Sequence, residues 1–121
     1  KIQKNKISVW LINTGWTGGP YGVGHRIALQ HTRTMIEAAR TGLLNPTYSY
    51  DDYHIHSVFG IAQPRVCPGV PESILSPRQT CNHDEAFYKQ AHKLARAFHE
   101  NFKQFESQVS KEILSGAPNF R

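Results

Sequence analysis

Cysteine is scarce in this sequence: only Cys67 and Cys81 occur among 121 residues. Two thiols are too few for a disulfide framework and are compatible with a reducing compartment. Long apolar runs are missing as well. No stretch nears the roughly 20 residues that cross a bilayer, and no charged, apolar, small-residue leader opens the chain. The expectation is a soluble, cytoplasmic protein without a membrane partner. Methionine is nearly absent too, and the first residue is Lys1, which reads as a processed chain or a piece of a longer one.

Clustered charge is also lacking. The net charge of +5 and the pI near 9.4 would attract nucleotides, nucleic acid or acidic metabolites, but the lysines and arginines are scattered rather than gathered into a stripe. Nucleic-acid binding needs basic residues interleaved with exposed aromatics on one face. The aromatics after residue 83 fall on an apolar helical stripe instead, so no nucleic-acid partner is expected. Internal repeats and low-complexity segments are absent. What remains is 39% apolar residues and 11% aromatics, enough for a chain that buries surface as one domain.

The organisation reads as α/β with one strong strand, a Gly-rich loop and several helices. Residues 7–12, ISVWLI, are apolar on both alternating faces except for Ser8, the pattern of a strand covered on both sides. No later segment competes as its partner, which points to further strands upstream in a larger domain. Residues 13–26, NTGWTGGPYGVGHR, then hold five glycines, a proline and two large aromatics. Glycine is the least strained residue where φ is positive or where a ligand approaches the backbone. Such a loop is either a tight structural turn or a binding loop.

A helix is expected over about 32–41, with Met35, Ile36 and Ala39 on one face, Thr32 as its cap and Gly42 as its stop. A loop belt follows over 45–81; its stretch PRVCPGVP is incompatible with regular helix. Helices occupy about 83–115. Asn82 and Glu85 form a capping-box-like start, and Phe87, Ala91, Leu94, Ala95, Phe98, Phe102 and Phe105 recur at near-helical spacing as a packing stripe. A short helix over 110–114 closes the sequence before Gly116 and Pro118.

Generic chemical motifs are weak. The glycine loop lacks the Gly-Lys-Ser/Thr ending of a phosphate loop, and its glycines miss the dinucleotide fingerprint. His54, His56, Cys67, Cys81 and His83 could be assembled into a zinc set only on paper, because no compact pair such as C-x-x-C occurs. Nothing beside Cys67 suggests an activating base. Neither a catalytic nor a metal-ligating residue is assigned.

Several ordered motifs together are more specific. VWLINTGWTGGPYGVGHRI at 9–27, TR at 32–33, FGIAQP at 59–64, CPGVP at 67–71, ILSPR at 74–78, AFHENF at 97–102 and GAP at 116–118 resemble the C-terminal end of ATP-dependent phosphoenolpyruvate carboxykinase. The resemblance implies a segment of that family's nucleotide-binding domain. For the complete enzyme it implies conversion of oxaloacetate and ATP to phosphoenolpyruvate, carbon dioxide and ADP, with magnesium and usually manganese, at the entry to gluconeogenesis. It also implies that the phosphate loop, the metal ligands and the oxaloacetate-holding groups lie upstream, so that this chain alone is inactive.

What the resemblance carries over is the adenine side of the ATP site: Arg26, Ile27 and Thr32. Arg26 offers a planar cation that can stack on a purine or pair with phosphate, Ile27 an apolar wall, and Thr32 a hydroxyl for a base edge. Trp16 and Tyr21 are expected to pack the loop rather than touch ATP. His25 stands where the family often has lysine, which leaves phosphate-directed charge there in doubt. The alternative is a non-catalytic module that docks or self-associates through its apolar faces and binds no nucleotide.

Overall fold

The computed structural model describes residues 2–44, 52–81 and 83–119. It mixes helices with two small antiparallel hairpins. A single helical turn, α1 (Ile2–Asn5), precedes an irregular stretch, then β1 (Trp16–Thr17) and β2 (His25–Arg26) pair around the glycine loop. Helix α2 (Leu29–Thr41) follows, then the hairpin β3 (Tyr53–Ile55) and β4 (Ala62–Pro64), the one-turn helices α3 (Glu72–Leu75) and α4 (Pro77–Thr80), and the long α5 (Asp84–Phe102). A 3-10 turn (Lys103–Gln108) and α6 (Lys111–Ser115) complete the order.

The strand expected at residues 7–12 is not formed. Those residues carry no regular secondary structure, and Ile7, Val9, Leu11 and Ile12 are exposed, Leu11 by 82%. The reason is physical: a strand exists only when its N–H and C=O groups pair with a neighbour. Among the described residues both sheets are two-stranded hairpins, and neither pairs with this segment. Only Trp10 packs inward.

Helix α2 starts at Leu29, three residues before the expected position. Its N-cap is Ala28, whose carbonyl accepts the N–H groups of His31 and Thr32, so Thr32 stands inside the first turn and is not the cap. The expected stop holds: Gly42 takes φ of 82° and donates its N–H to the Ala39 carbonyl. The 45–81 belt contains more order than a loop, since β3, β4, α3 and α4 lie within it, while the Cys67 to Val70 turn keeps its proline-rich part non-helical. Helix α5 begins after His83 as N-cap without a side-chain bond, and the proposed Asn82 cap lies outside the described residues.

Two small apolar clusters hold these pieces. In one, Ala38 and Leu44 meet Cys67 and Val70, flanked by Trp10, Met35, Ala39, Ile74 and Leu75. In the other, Ala91 and Ala95, one turn apart on α5, receive Val58, Phe59 and Tyr88. Small alanines let the turn between β3 and β4 sit close on the helix, and Asn119 donates its N–H to the Val58 carbonyl beside it. The rest of the expected stripe is only partly covered: Leu94, Phe98 and Phe105 remain exposed. The accessible surface totals 9761 Å², whereas about 6,600 Å² is usual for a folded monomer of this mass. Much apolar surface is thus left without a cover from this chain.

Candidate nucleotide-contacting loop

The glycine-rich segment folds as a hairpin whose strands meet at Trp16 opposite Arg26 and Thr17 opposite His25. The turn closes where Val23 and Gly24 both donate their N–H to the Pro20 carbonyl, at 3.0 and 2.9 Å. Gly18, Gly19 and Gly22 take φ of 77°, 144° and 88°, which side-chain-bearing residues rarely adopt. Gly24 is required for a different reason. A Cβ there would overlap the carbonyl oxygens of Thr17 and Gly19.

The hairpin is tied to the rest of the chain through one buried residue. The Thr17 hydroxyl donates to the Thr80 hydroxyl at 2.9 Å, and Thr80 in turn donates to the Pro77 carbonyl at 2.9 Å. The glycine loop is thereby fixed to the C-terminal end of α4, 63 residues away in sequence.

At the other end, Arg26 is exposed, and its guanidinium carbon lies 5.8 Å from the centre of the Trp16 ring. Trp16 meets Tyr21 edge to face with centroids 5.4 Å apart. No carboxylate pairs with Arg26 among the described residues. Ile27, half-buried, donates its N–H to the Gly15 carbonyl at 3.0 Å and so prolongs the ladder by one bond. Two residues later α2 begins, bringing half-buried Thr32 within its first turn. Arg26, Ile27 and Thr32 therefore occupy one continuous path from strand to helix. The Thr32 hydroxyl makes no hydrogen bond among the described residues.

Away from the glycine hairpin, an open cleft of about 790 Å³ lies between the β3–β4 hairpin, α3, α4 and the start of α5. Its lining includes His54, Gln63, Arg65, Arg78, Asp84 and Tyr88. Arg78 pairs with Asp84 at 2.8 Å and lies over the Tyr88 ring, which holds the Asp84 carboxyl below its ordinary pKa through the hydrogen bond from Arg78. Nearby, buried His56 accepts the N–H groups of Val58 and Phe59 on Nδ1 at 3.1 and 3.2 Å. Burial, and secondarily the charge of His54, pushes its pKa down. This imidazole is a structural acceptor. Cys67, whose thiol pKa is raised by burial, packs in the core, and Cys81 is likewise a free thiol.

Among the described residues no three His, Cys, Asp or Glu side chains converge as a metal-holding group. Neither the cleft nor the Trp16 to Arg26 stack stood out in the sequence. The only available signal for the stack was positional: Trp16 and Arg26 flank the glycine run.

The family profile described as Phosphoenolpyruvate carboxykinase matches residues 1–73. The chain belongs to the phosphoenolpyruvate carboxykinase family. Among curated relatives, a Phosphoenolpyruvate carboxykinase (ATP) of Christiangramia forsetii is 44% identical over 118 residues, covering 98% of this chain and 21% of the relative. The proteins of the same name from Flavobacterium johnsoniae and Thermus thermophilus are each 48% identical, covering 98% of this chain and 21% and 22% of the relatives. The chain thus spans about a fifth of the length of the relatives that it matches.

Proposed function

We propose that these residues are the C-terminal, adenine-contacting part of an ATP-dependent phosphoenolpyruvate carboxykinase, inactive alone. The complete enzyme would convert oxaloacetate and ATP to phosphoenolpyruvate, ADP and carbon dioxide in the cytoplasm, as a step of gluconeogenesis. Magnesium and manganese would be held by residues outside this chain and would supply charge neutralisation at the transferring phosphoryl group. The reading rests on family membership for the reaction and on one structural observation for the site. Arg26 presents an exposed guanidinium, without a carboxylate partner among the described residues, where a glycine-built hairpin runs into α2.

In this reading Arg26 stacks on the purine, Ile27 walls its edge, and the Thr32 hydroxyl bonds a ring nitrogen or the exocyclic amine. These residues bind and orient ATP and move no proton. The partner that completes the site is the remainder of the enzyme. The uncovered apolar surface of residues 7–12 and of Leu94, Phe98 and Phe105 supports such a partner. The same surface favours a second reading, in which the isolated chain self-associates and binds no nucleotide. Nothing in the scattered charge recommends nucleic acid, and among the described residues no helix is long and apolar enough to cross a membrane.

The test is Arg26→Ala in a complete enzyme carrying these residues. The apparent MgATP affinity is expected to fall about tenfold, as for loss of one stacked, charged contact. An unchanged affinity would overturn the adenine assignment.

A further inference from the structure

Trp16 and Arg26 are direct cross-strand partners. The Ile27 N–H to Gly15 carbonyl bond lies just outside this pair, which makes it a non-hydrogen-bonded pair of the antiparallel ladder. In such pairs the two side chains leave the same face and approach each other most closely. The consequence is visible in the 5.8 Å separation between the guanidinium carbon and the indole centre. Tyr21 braces the indole edge to face from within the turn. Arginine ordinarily has many rotamers in water, so an exposed guanidinium drawn over an aromatic ring loses some of that freedom before any ligand arrives.

We infer that Trp16 is a positioning residue for nucleotide binding: its indole holds one face of the Arg26 guanidinium, so that the opposite face is presented to a purine base. The inference rests on the adenine reading of Arg26 and extends it to a residue that does not touch the ligand. A three-layer stack results, indole, guanidinium and base. Tyr21 fixes the first layer, and the hairpin register fixes the second. Because the indole face is an electrostatic partner and not merely an apolar one, phenylalanine can replace it in part, whereas a leucine of similar bulk cannot.

The experiment is a double-mutant cycle in a complete enzyme carrying these residues, with equilibrium binding of MgADP and of magnesium triphosphate, which lacks the base. Trp16→Leu is expected to weaken MgADP binding roughly two- to tenfold and to leave magnesium triphosphate binding unchanged. Trp16→Phe should restore most of the loss, and Trp16→Leu should add nothing once Arg26 is alanine. Thermal unfolding without nucleotide monitors the fold, and the Phe variant keeps the test decisive if the Leu variant is unstable. A loss that is equal for both ligands, or that persists fully in the Arg26→Ala background, would reduce Trp16 to a structural role and overturn the inference. If Arg26→Ala itself leaves MgADP binding intact, the adenine reading fails and the inference with it. If Arg26→Ala weakens binding but Trp16→Leu does not, only the inference fails.

Discussion

The Thr17 hydroxyl and the Thr80 hydroxyl are joined at 2.9 Å, and this bond fastens the glycine hairpin to α4. Thr17 is buried, so its oxygen cannot turn to water when the partner is lost. Thr80→Val is expected to destabilise the folded protein by about 1 kcal/mol, the usual cost of stranding a buried hydroxyl. The double change Thr17→Val with Thr80→Val should cost less than the sum of the singles, because neither group is then left unpaired. Chemical unfolding of the four proteins measures both quantities.

Glycines in one loop should differ sharply in tolerance. Gly22 has open space around it and a positive φ, so Gly22→Ala carries a backbone cost of about 1–2 kcal/mol. Gly24→Ala instead drives a methyl into two backbone carbonyls, which no rotamer can relieve. Its cost is expected to reach about 3 kcal/mol, and the hairpin should open. Amide exchange at Val23 and Gly24, whose N–H groups close the turn, distinguishes the two: protected in the first variant, fast in the second.

Helices were the legible part of this fold, and pairing partners were not. The period of Ala91 and Ala95 and the stop at Gly42 are local signals, and both elements formed where those signals lie. Thr32 misled because a good capping residue sat near the start, yet the hairpin delivered the chain into helix with its cap four residues earlier, at Ala28. Ile7 to Ile12 carries the strand pattern, but pattern alone supplies no neighbour. Arg26 was legible only through family motifs. Its stack on Trp16 depends on hairpin register across seven loop residues, which composition does not specify.

Acid should weaken the packing of the β3–β4 turn on α5. His56 accepts two backbone N–H groups on Nδ1, and burial holds its folded pKa below the ordinary 6.5. Below pH ~6.5 the unfolded chain takes up a proton that the folded chain refuses. The contribution is therefore complete above that pH and is lost as pH falls through the lower folded value. Urea midpoints from pH 7.5 to 5 should decline, with a shallower slope for His56→Asn, whose amide oxygen can accept the same bonds without titrating. Equal slopes would remove His56 as the cause.

Opposite outcomes are expected for one surface change in two contexts. Val9 and Leu11 lie two residues apart in the irregular segment and are exposed by 66% and 82%. In the isolated chain such side chains favour association, so Val9→Asp with Leu11→Asp should reduce its sedimenting mass or its light scattering. In a complete enzyme, where the proposed upstream strands would cover residues 7–12, the same pair would place two unpaired carboxylates in apolar surroundings. Destabilisation there should reach several kcal/mol, or the carboxyls should stay protonated near neutral pH. If the complete enzyme tolerated the pair as easily as the isolated chain, residues 7–12 would be a solvent-facing linker, and the uncovered surface would belong to the Leu94, Phe98 and Phe105 side of α5 alone.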